Sequence, residues 1–189
     1  MADNTLLLTY GQLNLLRNFE ALWLSLALWT RAFANRVSYG VDYTAIFNRL
    51  YRVPLDFYNR LQLIFSPEQL EAFVSLLTTH ITLITNIIVA QKNNDIQTVQ
   101  TSTPLLYENA DAIASLLAQI NPFWDAAQWQ NLLYNYISLT FDETSAILVD
   151  EPERDIVIYD RIINQAYQLG EYMARGIIAY LTAINQPVV

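Results

Sequence analysis

Residues 66–92 read SPEQLEAFVSLLTTHITLITNIIVAQK, and this stretch decides the fold. Ser66 offers a capping hydroxyl, Pro67 suits the first helical position, and Gln69 closes a capping box. Phe73, Leu76, Leu77, Leu83, Ile84, Ile87 and Ile88 then recur every three or four residues, the spacing of one buried helix face. Nowhere does the chain alternate with a period of two for long, so no strand is expected.

Working outward from that helix, the pattern repeats. Upstream, two short helices are expected near 42–51 and 54–64, separated where Pro54 removes an amide donor. Before them a long helix runs from about Thr9 to Tyr39, with Leu15, Leu16, Phe19, Leu22, Trp23, Leu26, Trp29 and Phe33 inward. Leu24 and Leu28 carry apolar surface onto its other faces, as suits a helix at the centre of a bundle or in a subunit interface. Downstream, Asn93-Asn94-Asp95 reads as a turn with Asp95 as cap, opening a helix to Ile120 in which Pro104 predicts a kink or a break. Asp125 with Gln128, and Asp150 with Glu153, read as two further capping boxes, for helices ending near Val149 and Ile184. The last of these has Ile156, Tyr159, Ile163, Ala166, Gly170, Met173, Ile177 and Leu181 as its inward stripe. The expected fold is therefore all-α. It is an up-and-down bundle of four to five long helices in a single domain over 1–189. A short-helix crossover joins helices one and two, and the general appearance is ferritin-like.

Composition narrows the function. The 189 residues are 53% hydrophobic and only 15% charged, which excludes intrinsic disorder. Ten basic against eighteen acidic residues give a net charge of −8, and Lys92 is the only lysine. Nucleic acid is not an expected partner, because phosphate backbones demand a basic face. Without cysteine there is no disulfide, thiolate zinc site or Cys nucleophile. Four glycines cannot form a phosphate-cradling loop. The start, MADNTLLLTYGQ, lacks the signal-peptide pattern, so the expected location is the cytoplasm. The apolar runs 21–30 and 81–90 are each about half the length of a membrane span, and both read as buried helix.

Few residues point to chemistry. His80 is the single histidine and sits on the apolar stripe of its helix, where it serves either as a ligand or proton carrier, or as a hydrogen-bonded core residue of depressed pKa. Asp142 and Glu143 follow an apolar run and are candidates to face the core. Asp150, Glu151, Glu153 and Asp155 crowd a helix start, where negative charge relieves the dipole. Ala166, Gly170 and Ala174 recur every four residues, leaving room for a ligand or for the close approach of another helix. No Glu-x-x-His, His-Glu-x-x-His, P-loop or Gly-x-Ser-x-Gly is present.

Several segments resemble a family of small uncharacterised bacterial four-helix-bundle proteins, some of them mislabelled as acetylglutamate kinase. They are Leu22-Trp23 with Trp29-Thr30-Arg31, Leu76-Leu77-Thr78 with His80, residues 109–114, residues 120–124, Leu133-Tyr134 with Leu139-Thr140, and Asp155-Ile156 with Tyr159-Asp160-Arg161-Ile162. The resemblance implies Glu and His at mid-helix on three helices, as a metal or polar core site requires. This chain departs at Leu24, Leu26, Thr79, Asn135, Tyr136 and Ile163, and keeps His80.

The expected function is that of a non-catalytic structural or interaction protein acting through homo-oligomeric assembly, without a cofactor. The alternative is a ferritin-like metal or small-ligand protein, with His80, Tyr136, Asp160 and Asn164 as candidate ligands. An acidic adaptor for an unknown basic protein partner is a third reading.

Overall fold

The computed structural model describes residues 8–185, so the reading of residues 1–7 lies outside the described residues. Among these there are seven α-helices and no strand: α1 (Tyr10–Ser38), α2 (Thr44–Leu50), α3 (Val53–Leu61), α4 (Pro67–Lys92), α5 (Ile96–Ile120), α6 (Ala126–Leu148) and α7 (Pro152–Ile184).

Side chains start most of the long helices. Ser66 and Gln69 form both halves of a capping box on α4, and Thr9 with Gln12 does the same on α1. The side chain of Asp95 accepts from the Thr98 amide at 3.0 Å, as expected of a cap. Two boxes differ from the sequence reading. Asp125 accepts from the Gln128 amide at 2.8 Å, but its own amide donates to the Tyr172 hydroxyl at 2.7 Å instead of to Gln128. The third box is not formed at all. Glu151 heads α7 with no side-chain cap, and its carboxylate takes Arg154 at 2.9 Å.

Helix ends share one device. Gly40, Asn94 and Asp150 all have positive φ, between 55° and 65°. The amides that follow them reach back to Arg36, Ala90 and Ala146 at 3.2, 2.9 and 2.9 Å. These wraps satisfy the last carbonyls of α1, α4 and α6. α5 runs through Pro104 without a break. The carbonyl deprived of its donor belongs to Gln100, an exposed residue, so no buried acceptor is orphaned.

Short turns make α4, α5, α6 and α7 successive antiparallel neighbours. α1 packs most extensively on α7 and runs against it, since Glu20 meets Gly170 while Arg31 meets Asp155. The carboxyl ends of α1, α4 and α6 therefore gather at one end of the molecule. There Lys92 Nζ donates to the Ser38 carbonyl at 2.8 Å, and the Ser38 hydroxyl donates to the Ile147 carbonyl at 3.2 Å. α2 and α3 lie across α1 and α4, burying Leu50, Val53, Phe57 and Leu61.

One continuous apolar core touches every helix. At its centre Trp23 meets Phe57 edge-on at 5.1 Å and Trp129 at 6.2 Å. A Cβ on Gly170 would lie 2.5 Å from the Glu20 backbone, so Ala166, Gly170 and Ala174 serve helix approach and not a ligand groove. The inward stripe of α7 also needs correction. Ile156 is 59% exposed, and Ile158 and Ile162 take the inward places, because Asp155 turns in towards Arg31 and sets the rotation of the first turns. α4 has the length and hydropathy of a membrane span. Here its inward residues pack against α1, α3 and α5.

Candidate functional site

Two polar clusters lie inside the apolar core. The first is built on His80 of α4. Asn109 of α5 donates through Nδ2 to the Leu76 carbonyl at 3.1 Å, so its Oδ1 is left as an acceptor 3.0 Å from His80 Nδ1. His80 therefore carries its proton on Nδ1, and the lone pair sits on Nε2. That nitrogen is buried and has no partner. Burial pushes the imidazole down to about 4, with the Asn109 bond only partly opposing it. The ring therefore rests neutral at physiological pH.

The second cluster joins three helices. Arg31 of α1 donates through Nη1 to both Glu143 of α6 and Asp155 of α7, and through Nη2 to Asp155 at 2.7 Å. Its guanidinium also lies over the Tyr159 ring, 4.3 Å from the centroid. The Glu143 and Asp155 side chains are only 3% and 12% exposed. Burial pushes the Glu143 carboxyl up to about 7; Arg31 pulls against the rise and Asp155 adds to it. Burial works against the charge on Arg31, but its bonds to the two carboxylates prevail and raise its pKa.

Tyr136 of α6 is buried near Glu143 and Tyr159 of this second cluster. Burial, then the charge of Glu143, raise its phenol well above the ordinary value. Thr30 and Thr140 are beside it, but the Thr140 hydroxyl donates to the Tyr136 carbonyl at 2.8 Å, and the phenolic oxygen has no partner of hydrogen-bonding geometry.

The four candidate ligands do not form one site. His80 and Tyr136 are buried, whereas Asp160 and Asn164 lie on the exposed face of α7. Among the described residues no three His, Asp or Glu side chains gather as a metal ion requires. Of the acidic pair, Glu143 faces the core and Asp142 faces solvent.

Sequence reasoning missed Asn109, Arg31 and Asp155. Asp155 was hidden by its place in a first helical turn, where any carboxylate is already favourable. The available signal was Arg31, the one charged residue between Glu20 and Arg36 in an apolar helix. A half-buried arginine needs a carboxylate partner, and Glu143 stands in an equally apolar stretch. No protein-family model, curated protein or solved structure matches this chain.

Proposed function

We propose that this chain is a non-catalytic structural or interaction protein that works by associating with itself. Its architecture is read as an up-and-down bundle with four to five long helices, ferritin-like in general appearance, in which α2 and α3 form the crossover. The polar interior supports a structural role. His80 is neutral and sealed, and Arg31 spends its donors on two carboxylates within the same molecule. A buried network of this kind fixes the register of helices more readily than it performs chemistry.

The observation that carries self-association lies at the end where α1, α4 and α6 finish. Ile96 is 68% exposed and Val149 60% exposed, and with Val99 and Leu148 they line one hollow of about 460 Å³. Gln91, Lys92, Asn94, Asp95 and Ser145 line the same hollow, and aliphatic side chains exposed beside polar ones in this way suit a contact face. Lys92 and Asp95 put one charge of each sign on this face, so that like-charged repulsion between copies is not built into it. Sedimentation equilibrium across a wide concentration range tests the reading. An oligomer that Val149→Lys dissociates supports it, and a strict monomer at high concentration ends it.

A ferritin-like metal or small-ligand protein remains the second reading, favoured by the unpartnered Nε2 lone pair of His80. Metal analysis of untagged protein beside a His80→Ala variant separates the two. Absence of stoichiometric metal, with no loss of stability on adding chelator, removes this second reading.

A further inference from the structure

The Arg31 cluster does not balance its charge. One guanidinium faces two carboxylates, both buried, and Nη1 alone is shared between them. No other cation pairs with Glu143 or Asp155 among the described residues. With both acids ionised the cluster carries one uncompensated negative charge in a low-dielectric setting, which is costly. The nearest remaining groups add no positive charge: Tyr136 of α6 has an unpartnered hydroxyl, and Tyr159 of α7 offers its ring to Arg31. From α5, Tyr107 feels Asp142 and not Glu143. Lys92 donates to the Ser38 carbonyl and lines an open hollow with Asp150, Glu151 and Asp155; it forms no ion pair with Glu143 or Asp155, and the two further acids outnumber its single charge.

We propose that Glu143, Arg31 and Asp155 form a proton-operated clamp, which holds the carboxyl-terminal half of α1 on α6 and α7 when Glu143 is protonated and loosens when it is not. In the protonated state Arg31 pairs with the Asp155 carboxylate through both nitrogens, and the neutral Glu143 accepts from Nη1. Loss of the proton leaves two anions competing for one guanidinium. The carboxyl of Glu143 is held near 7 in the folded chain, against about 4.5 when exposed, so the clamp weakens as pH rises between those values. The clamp does not rest on the proposed self-association, since all its members lie within one chain.

Hydrogen exchange of the amides of residues 30–38, corrected for the intrinsic pH dependence of exchange, reads the clamp locally. Opening of this segment should become about 20-fold more frequent from pH 5.5 to 7.5. Glu143→Gln, which mimics the protonated acid, should abolish that dependence. Asp155→Asn lets Arg31 neutralise Glu143 alone, and should move the dependence to lower pH. Carbon-13 carboxyl titration of the unaltered protein is independent of how the variants fold, and should place Glu143 near 7. A Glu143 midpoint below 5, or equal pH dependence in the parent and Glu143→Gln, overturns the clamp.

Discussion

His80 and Glu143 are both buried ionisable residues, and their pKa values are displaced in opposite directions. His80 falls from 6.5 to about 4. Its contribution to stability is therefore complete above pH 6.5 and is lost as pH falls through 4. Glu143 rises from 4.5 to about 7. Its contribution is complete below pH 4.5 and is lost as pH rises through 7. Each displacement corresponds to about 3 kcal/mol. Between pH 4.5 and 6.5 the two oppose each other. Urea unfolding should show that His80→Gln makes stability fall with rising pH across this window relative to the parent, while Glu143→Gln makes it rise. Parallel curves for the two variants would contradict these assignments. Arg31→Met should cost about 3–5 kcal/mol in the same assay at pH 7, because it strands two buried carboxylates. A loss below 1 kcal/mol would mean that Glu143 and Asp155 find other partners.

Glycine 170 sets the spacing of the longest helix pair. Its missing Cβ lets α7 lie directly against the α1 backbone, where no side chain is available to yield. Gly170→Ala should therefore destabilise by about 3 kcal/mol, towards the upper end of overpacking effects. Gly11 is the contrast: it is exposed in the first turn of α1, and an added methyl would meet only the Thr9 hydroxyl at 4.0 Å. Gly11→Ala should stabilise by about 0.5–1 kcal/mol. Calorimetric melting of the two variants checks both signs. Helix limits were legible because Ser66, Asp95 and Asp125 announce themselves through neighbours only three residues away. Helix rotation was less so. Counting Ile156 inward follows from hydrophobicity, but an acid–base contact spanning 124 residues of sequence turns Asp155 in and Ile156 out. Local spacing carries no record of such a partner. The box expected of Asp150 and Glu153 failed for a local reason instead: Asp150 takes a positive φ in the turn after α6, and Glu151, which heads α7, pairs with Arg154 three residues on.

For the whole molecule, most of the apolar excess in the sequence lies in one continuous core, and the rest is scattered over the surface, with Ile96 and Val149 meeting in a hollow at one end. The helical class was readable from periodicity alone. His80 was readable as a sealed core residue because its neighbours one turn away are all aliphatic. The ion cluster was not readable as a unit, because its members come from α1, α6 and α7 and meet only after the chain has folded. What the sequence expected as a loose set around His80 is instead a neutral histidine–amide pair and a separate charged clamp. The exposed Ile96 and Val149 take no part in either, and they are the residues a second copy would cover. Sedimentation equilibrium of the unaltered protein at neutral pH, with Val149→Lys run beside it, is the most direct measurement of this account. It predicts a concentration-dependent oligomer that the substitution returns to about 22 kDa; the unaltered chain remaining at that mass at the highest concentration would contradict it.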